Sequence, residues 1–498
     1  MVRSLLGARD MRRSTTRSPL RAIPGTALLW LTLAWGLWSC STAPMNAPLS
    51  GPPAGASNGA VSARAPAYDL ASLQRDENRG DNSSETLVLL AFSGGGKRSS
   101  AFSYGALRAL RDTDISIENE PRSVLHEVDV IASVSGGTFP AAYYALHRDG
   151  LFTDFENDFL RRDIQSYIYG LYGLPWHWEW MVDPVWGTND SMAEVYDDLM
   201  FHGATYGDLI PKGPPLIVVG ATDVGYGTVF AFTQRQFDLI CSDLASFPLA
   251  RAVAASNGFP IVFTPITLEN HRKDCPEGRP DWLPETPVVL SDDSTRSDYV
   301  THGYERYLDP EQVRYIHLMD GGIADNLALR AMLDSMMVFE ESERFLPQDV
   351  WLRTRRIMLL SVDGEAAADT TWNQQRVVTG LGQVFNAVSG TQIDRYNFET
   401  IMLAHQTVSN FAERLKGLRC AHAKEIDGHP CDDVRGFFGH VALSDIKDEA
   451  TRKRLQAIPT GLTLADEDVD LLIQSGEAAV LGSHAFQSFI TSLGQPPN

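Results

Sequence analysis

Three short stretches of this chain carry residue types that could together hydrolyse an ester. The first is V-D-V-I-A-S-V-S-G-G, Val128 to Gly137, where a run of β-formers breaks at Ser135 and two glycines follow. A serine on a sharp strand-to-helix turn is held outside the sheet, with its hydroxyl beside the free N–H groups of the new helix. The usual pattern is G-x-S-x-G; here the small Ser133 takes the first position and Gly137 the last. The second stretch is S-G-G-G-K-R, Ser93 to Arg98. Gly94, Gly95 and Gly96 let backbone N–H groups approach an oxyanion or a phosphate without side-chain hindrance. It is not a nucleotide P-loop, because Arg98 follows Lys97 where Ser or Thr is required. The third is D-G-G, Asp320 to Gly322, directly after the apolar run Tyr315 to Met319. A free aspartate is a weak base with a pKa of about 3.9. Burial raises it, and a hydrogen bond to the serine within about 3 Å lets it take the proton directly. Taken alone, D-G-G is more often a turn.

These groups need a scaffold, and the sequence predicts one. Strands are expected at Leu87–Phe92, Val128–Val134, Leu216–Gly220, Tyr315–Met319 and Arg356–Val362, with helical spacing between them, as in Phe102, Leu107 and Leu110. Alternating β and α units predict a three-layer α/β/α fold with a mostly parallel central sheet and helical insertions. In open α/β sheets ligands lie at the carboxyl ends of the strands, which puts Asp320 on the same rim as Ser135 and the glycine tract. An insertion at about residues 150–205 is rich in aromatics: Tyr167, Tyr169, Tyr172, Trp176, Trp178, Trp180 and Trp186. It reads equally well as a cap or membrane-interface wedge and as a packed helical insertion. A polar stretch at about residues 271–304 reads as a surface excursion.

The ordered set S-G-G-G-K-R (93–98), S-V-S-G-G (133–137) and D-G-G-I-A-D-N (320–326) resembles the patatin-like phospholipases. A-T-D at 221–223, A-A-S-N-G-F-P-I-V-F-T-P at 254–265 and I-P-T-G-L-T-L from Ile458 extend the likeness. The resemblance implies a patatin-like fold and a lipid acyl hydrolase of phospholipase A or lysophospholipase type. It also implies Ser135 as nucleophile, Asp320 as proton acceptor, Gly94, Gly95 and Gly96 as the oxyanion hole, and no cofactor. Arg98 matches the family's basic residue, which fixes the loop or meets a lipid headgroup, and Gly137, Gly321 and Gly322 fall within the motifs. Asp325 and Asn326 match as well and read first as a turn. Ser99 stands where the last glycine of G-x-G-x-x-G belongs, and Ser133 where the first of G-x-S-x-G belongs. Two rival readings stay open: a Ser–His–Asp esterase drawing on His405, His422, His429 or His440, and a lipid-binding lipoprotein without activity.

Composition sets the surroundings. The 498 residues carry a formal charge of -21, which argues against nucleic-acid binding and against electrostatic adhesion to anionic membranes. Residues 1–39 hold six arginines ahead of an apolar run from Ala27 to Trp38, too short to span a bilayer and right for a signal peptide. The run ends L-W-S-C at Cys40, which resembles a bacterial lipoprotein signal; Ser41 after the cysteine then favours the outer membrane, and the alternative is a conventional secretory signal with a free periplasmic product. The expected partners are thus a membrane lipid as substrate and a bilayer holding the Cys40 lipid. Residues 40–85 read as a disordered tether, spanning on the order of 35 Å. Residues 86–365 read as the catalytic domain, and 366–498 as a helical extension packed on it. Of the remaining cysteines, Cys241, Cys275, Cys420 and Cys431, nearest-neighbour pairing is one of three connectivities. Their spacing lacks C-x-x-C pairs, so no metal is expected.

Overall fold

A computed structural model describes residues 45–49, 68–74, 78–117, 120–172, 187–260, 262–275, 278–280, 282–342, 346–366, 376 and 381–493. Its central sheet is built from Thr86–Phe92 (β1), Val128–Val134 (β2), Leu216–Asp223 (β3), Thr228–Ala231 (β4), Ile266–Glu269 (β5), Tyr315–Met319 (β6), Arg356–Asp363 (β7) and Arg435–Ala442 (β8). β1, β2 and β3 are buried at every position, which continuous apolar runs require of strands covered on both faces. Hydrogen bonding follows the order β8-β7-β1-β2-β3-β6-β5, with β4 also on β3. The pairs from β8 to β3 are parallel; β4 and β6 join β3, and β5 joins β6, antiparallel. The sheet is therefore mixed and mostly parallel.

Helices Gly96–Arg111 (α1), Thr138–His147 (α2) and Leu249–Asn257 (α3) each begin near the carboxyl end of a strand or pack beside one. Arg330–Ser342 (α4) and Leu381–His422 (α5) pack on each other, and Asp466–Leu481 (α6) and His484–Leu493 (α7) close the chain. α6 lies against α1 through glycines. A Cβ on Gly476 would stand 2.1 Å from the Phe102 carbonyl oxygen, and one on Gly105 would stand 2.1 Å from that of Ile473. No larger residue allows these two backbones to come so close. A cavity of about 180 Å³ lies between α4 and the sheet, lined by Leu87, Leu89, Val218, Met336 and Phe339. It opens under the first halves of β1 and β3, away from the carboxyl rim.

Two boundary expectations need correction. The extension after residue 366 is not wholly helical: β8 adds a full edge strand, paired along β7 from Arg435↔Arg356 to Ala442↔Asp363. Residues 40–85 are not simply a tether either. Asn46 is 3% exposed and donates to Ser242 Oγ and to the Glu269 carbonyl, both at 2.9 Å. Tyr68 is buried, with its hydroxyl accepting from the Ile217 amide at 2.8 Å, and Gln74 bonds the buried Asp129. Amide-bearing and aromatic side chains in a Pro/Ala/Ser-rich stretch suffice to dock it where backbone groups await partners. Cys40 lies outside the described residues, as do Trp176, Trp178, Trp180, Trp186 and the side chains of Tyr169 and Tyr172. Among the described residues no helix is long and apolar enough to cross a membrane.

Candidate active site

The register around β3 explains how two distant residues meet. β2 runs up one edge of β3 until Val134 faces Gly220. β4 takes the opposite edge over the same stretch, pairing Gly220 with Ala231 and Thr222 with Val229. β6 therefore shares β2's edge, coming down it until Met319 faces Thr222. The two strands end head to head with only Ala221 between their last partners. The residues that leave them are Ser135 and Asp320. The rim placement expected from the sequence thus holds for a different reason: Asp320 reaches the carboxyl end of β3 because β6 is antiparallel and starts above it.

Ser135 has φ of +47°, in the left-handed region that a residue bearing Cβ rarely enters, and the helix α2 follows within three residues. This is the strained elbow that the S-V-S-G-G pattern called for. Gly137 packs against Phe92, and Gly321 against the Gly220 carbonyl, each too close for a Cβ. Ser135 Oγ donates to Asp320 Oδ2 at 3.0 Å, and the Gly322 amide donates to Asp320 Oδ1 at 2.8 Å. Desolvation pushes the Asp320 carboxyl up to about 6, against the lowering pull of the Gly322 and Ser135 donors. The result is a carboxylate still ionised at neutral pH yet far more basic than a free one.

The glycine tract lies beside this pair, and not all of it can serve an oxyanion. The Gly94 amide donates to the Asn326 carbonyl at 2.9 Å, which corrects the expectation that all three glycine amides face the ligand. Gly95 and Gly96 have φ of +128° and +61°, the first a conformation essentially confined to glycine and the second one that glycine adopts without strain, and they begin α1, where the first N–H groups have no intrahelical acceptor. Arg98, 3% exposed, donates to the carbonyls of Gly364 at 2.8 Å and Ile458 at 2.7 Å, contacts that tie the loop to the end of β7 and to the C-terminal stretch. Lys97 is buried over the Phe159 ring. Its amide donates to the Gly461 carbonyl at 3.1 Å. The C-terminal stretch I-P-T-G thus braces the glycine loop directly. Ser99, the departure from the glycine pattern, donates to the Ser93 carbonyl at 2.6 Å.

Sequence reasoning left several supporting residues without a role. Ser256, in A-A-S-N of α3, accepts from the Ser135 amide at 2.8 Å and donates to the Gly220 carbonyl at 2.5 Å. Asn257 donates to Thr138 Oγ1 at 3.0 Å, and Thr138 donates to the Ser135 carbonyl at 2.6 Å. The A-A-S-N text was visible, but nothing in it told which distant backbone it would bind. Ser256→Ala leaves two buried backbone groups unpaired. We expect it to lower stability by about 1–3 kcal/mol, read by urea unfolding. It should also slow reaction at Ser135 by about tenfold, since an oriented nucleophile loses its register. Asp325 accepts from the Arg330 amide at 2.7 Å, the turn role expected of it, whereas Asn326 does more than turn the chain.

The histidines raised by the sequence lie elsewhere. His405 packs its ring on Phe438, His429 lies beside Glu85, and His440 bonds Ser361 Oγ at 3.2 Å. His422 ends α5 and is exposed. The hydroxyl of Ser135 is given to a carboxylate. Cys241 pairs with Cys275 and Cys420 with Cys431. Among the described residues no group of three or more His, Cys, Asp or Glu could hold a metal ion.

Comparison with protein families now bears on the same stretch of chain. Residues 90–333 match the patatin-like phospholipase family. The patatin-like region spans β1 to the start of α4 and holds all three motifs. Comparison with curated proteins finds no match. Among solved structures, human GIVD cytosolic phospholipase A2 is similar at 13% identity and a TM-score of 0.40, covering 86% of this chain and 65% of that one. The same enzyme in complex with methyl gamma-linolenyl fluorophosphonate and terbium chloride gives 12% identity and a TM-score of 0.37, covering 85% and 62%. The chain spans less than two thirds of these enzymes, and overlaps this loose add nothing to the patatin-like region's own geometry.

Proposed function

We propose that this protein is a lipid acyl-ester hydrolase working through Ser135 and Asp320. The observation that carries the reading is the 3.0 Å hydrogen bond from a serine hydroxyl at a strained elbow to a carboxylate whose pKa is raised to about 6. Ser135 Oγ attacks the ester carbonyl carbon while its proton passes to Asp320 Oδ2. The amides of Gly95 and Gly96, at the positive end of the α1 dipole, receive the developing oxyanion. Collapse of the tetrahedral adduct expels the alcohol, which takes the proton from Asp320, and leaves an acyl-serine. Water, deprotonated by Asp320, then releases the fatty acid and restores the serine. A lipid substrate is supported by the family match and by exposed apolar side chains near the Asp320 loop: Phe259, Val262 and Ile323, at 42, 60 and 48% exposure. Lipidation of Cys40 and a place in the cell envelope belong to the proposal on sequence grounds.

The test is fatty-acid release from mixed phospholipid vesicles, combined with mass analysis of a fluorophosphonate adduct. Release and an adduct on Ser135 support the reading; neither release nor adduct overturns it. The base must be ionised to accept a proton, so activity should fall as pH drops through about 6, with the slope of a single proton. A limb near 7 that vanishes on replacing His405, His422, His429 and His440 together would return the histidine mechanism.

A further inference from the structure

One acid beside the site has no part in this chemistry. Glu365 follows Gly364 at the end of β7, where the backbone of the glycine loop is held: Gly364 donates its amide to Ser93 Oγ at 2.9 Å and accepts from Arg98 Nε. Asn326 donates Nδ2–H to Glu365 Oε2, and Asn397 on α5 donates to the same oxygen at 3.3 Å. Asn326 in turn sits between the two loops that carry the reaction. Its carbonyl accepts from the Gly94 amide at 2.9 Å. Its Oδ1 occupies the space beside two glycines, 2.3 Å from where a Cβ on Gly94 would be and 2.7 Å from where one on Gly322 would be. One side chain therefore spaces the oxyanion loop from the loop of Asp320, and one carboxyl fixes the rotation of that side chain.

We propose that Asn326, oriented by Glu365, is the positioning residue that sets the separation between the glycine amides and the Ser135–Asp320 pair. The inference rests on the acyl-hydrolase reading above. An amide is suited to this place, because it donates to Glu365 while its uncharged Oδ1 fills the space that the two glycines leave open. The charged groups around Glu365 are Asp363 on its own strand end, Asp394 on α5 and Arg98 on α1. Desolvation first, then the two aspartates, push the Glu365 carboxyl up to about 8, with Arg98 opposing. Near neutrality it is thus a neutral acid whose oxygen accepts two amide donors. A carboxylate at position 326 has no N–H to donate and opposes Glu365 once that acid ionises.

The experiment uses the full chain with Asn326→Asp, Glu365→Gln and the double variant. It reads hydrolysis of phospholipid vesicles and the rate of fluorophosphonate labelling of Ser135 between pH 6.5 and 9. At pH 8, Asn326→Asp is expected to lower kcat by about 10²-fold, with KM changed by less than about threefold, because the oxyanion amides are misplaced. Relative to the parent, the loss should be about tenfold larger at pH 9 than at pH 6.5, because the proton the facing carboxyls share near neutrality is lost as pH rises through the raised pKa of the pair. Asn326→Asp/Glu365→Gln should regain most of the lost rate, since the amide introduced at 365 can donate to the carboxylate introduced at 326. Thermal unfolding of each variant separates these effects from misfolding, which would give neither the pH trend nor the rescue. An Asn326→Asp protein as fast as the parent overturns the proposal, as does a slow one whose loss is flat with pH and not rescued by Glu365→Gln. A parent that neither hydrolyses nor labels instead overturns the acyl-hydrolase reading, and this inference with it.

Discussion

Asp320→Asn is expected to lower acyl hydrolysis by about 10⁴-fold, the scale seen when one member of a nucleophile–base unit is removed, and Ser135→Ala should do the same. The two losses should not add in the double variant, because either one removes the same proton transfer. Asp320→Asn should also be the more stable protein above neutral pH. The folded pKa of Asp320, about 6, lies above its ordinary value of 3.8, so its favourable contribution is complete below about 3.8 and is lost as pH rises through 6. Above that, the ionised carboxylate destabilises the fold by on the order of 3 kcal/mol, which a neutral amide avoids. With its Oδ1 kept toward the Gly322 amide, the new side chain turns its Nδ2–H to Ser135 Oγ, which then accepts, so the site keeps its shape. Thermal unfolding at pH 8 beside vesicle hydrolysis checks both parts. An Asn variant that stays active removes Asp320 from the reaction, and one that loses stability contradicts the electrostatic account.

Gly476→Val is expected to destabilise the protein by about 3 kcal/mol or more, since it drives side-chain atoms into backbone that cannot yield. The Cβ alone would lie 2.1 Å from the Phe102 carbonyl, and the reciprocal contact of Gly105 with Ile473 leaves α6 no direction in which to slide. α1 carries the glycine loop at its first residue, so the damage should reach the chemistry as well as the fold. Gly417→Ala is the control: it lies within α5 with nothing inside 4 Å of its Cβ position and should gain up to about 1 kcal/mol from helix propensity. Urea midpoints and residual hydrolysis distinguish the two.

The parts of the fold legible in the sequence were those with a local cause. Continuous apolar runs gave β1, β2, β3 and β7, and the S-V-S-G-G and D-G-G breaks marked the ends of β2 and β6. What stayed hidden depended on partners far along the chain. R-G-F-F-G-H-V-A becomes β8 only because β7, 79 residues earlier, offers a free parallel edge. β6 shows no sign in its sequence that it runs antiparallel, and that direction is what puts Asp320 beside Ser135. Asn326 reads as part of a turn until the Gly94 amide and Glu365 are set against it. Gly94 itself looked like an oxyanion donor because a run of three glycines does not reveal which amide another backbone will claim.

The brace on the glycine loop has a consequence in time. Ser135 and Asp320 are 185 residues apart, and both are made long before Ile458 and Gly461, whose carbonyls hold Arg98 and the Lys97 amide. A ribosome releases the reactive pair early and its final support only at the end. A growing chain, or one cut short after β8, carries nucleophile and base but an oxyanion loop without its last anchor. On the acyl-hydrolase reading proposed above, full activity would wait for the segment that carries Ile458 and Gly461.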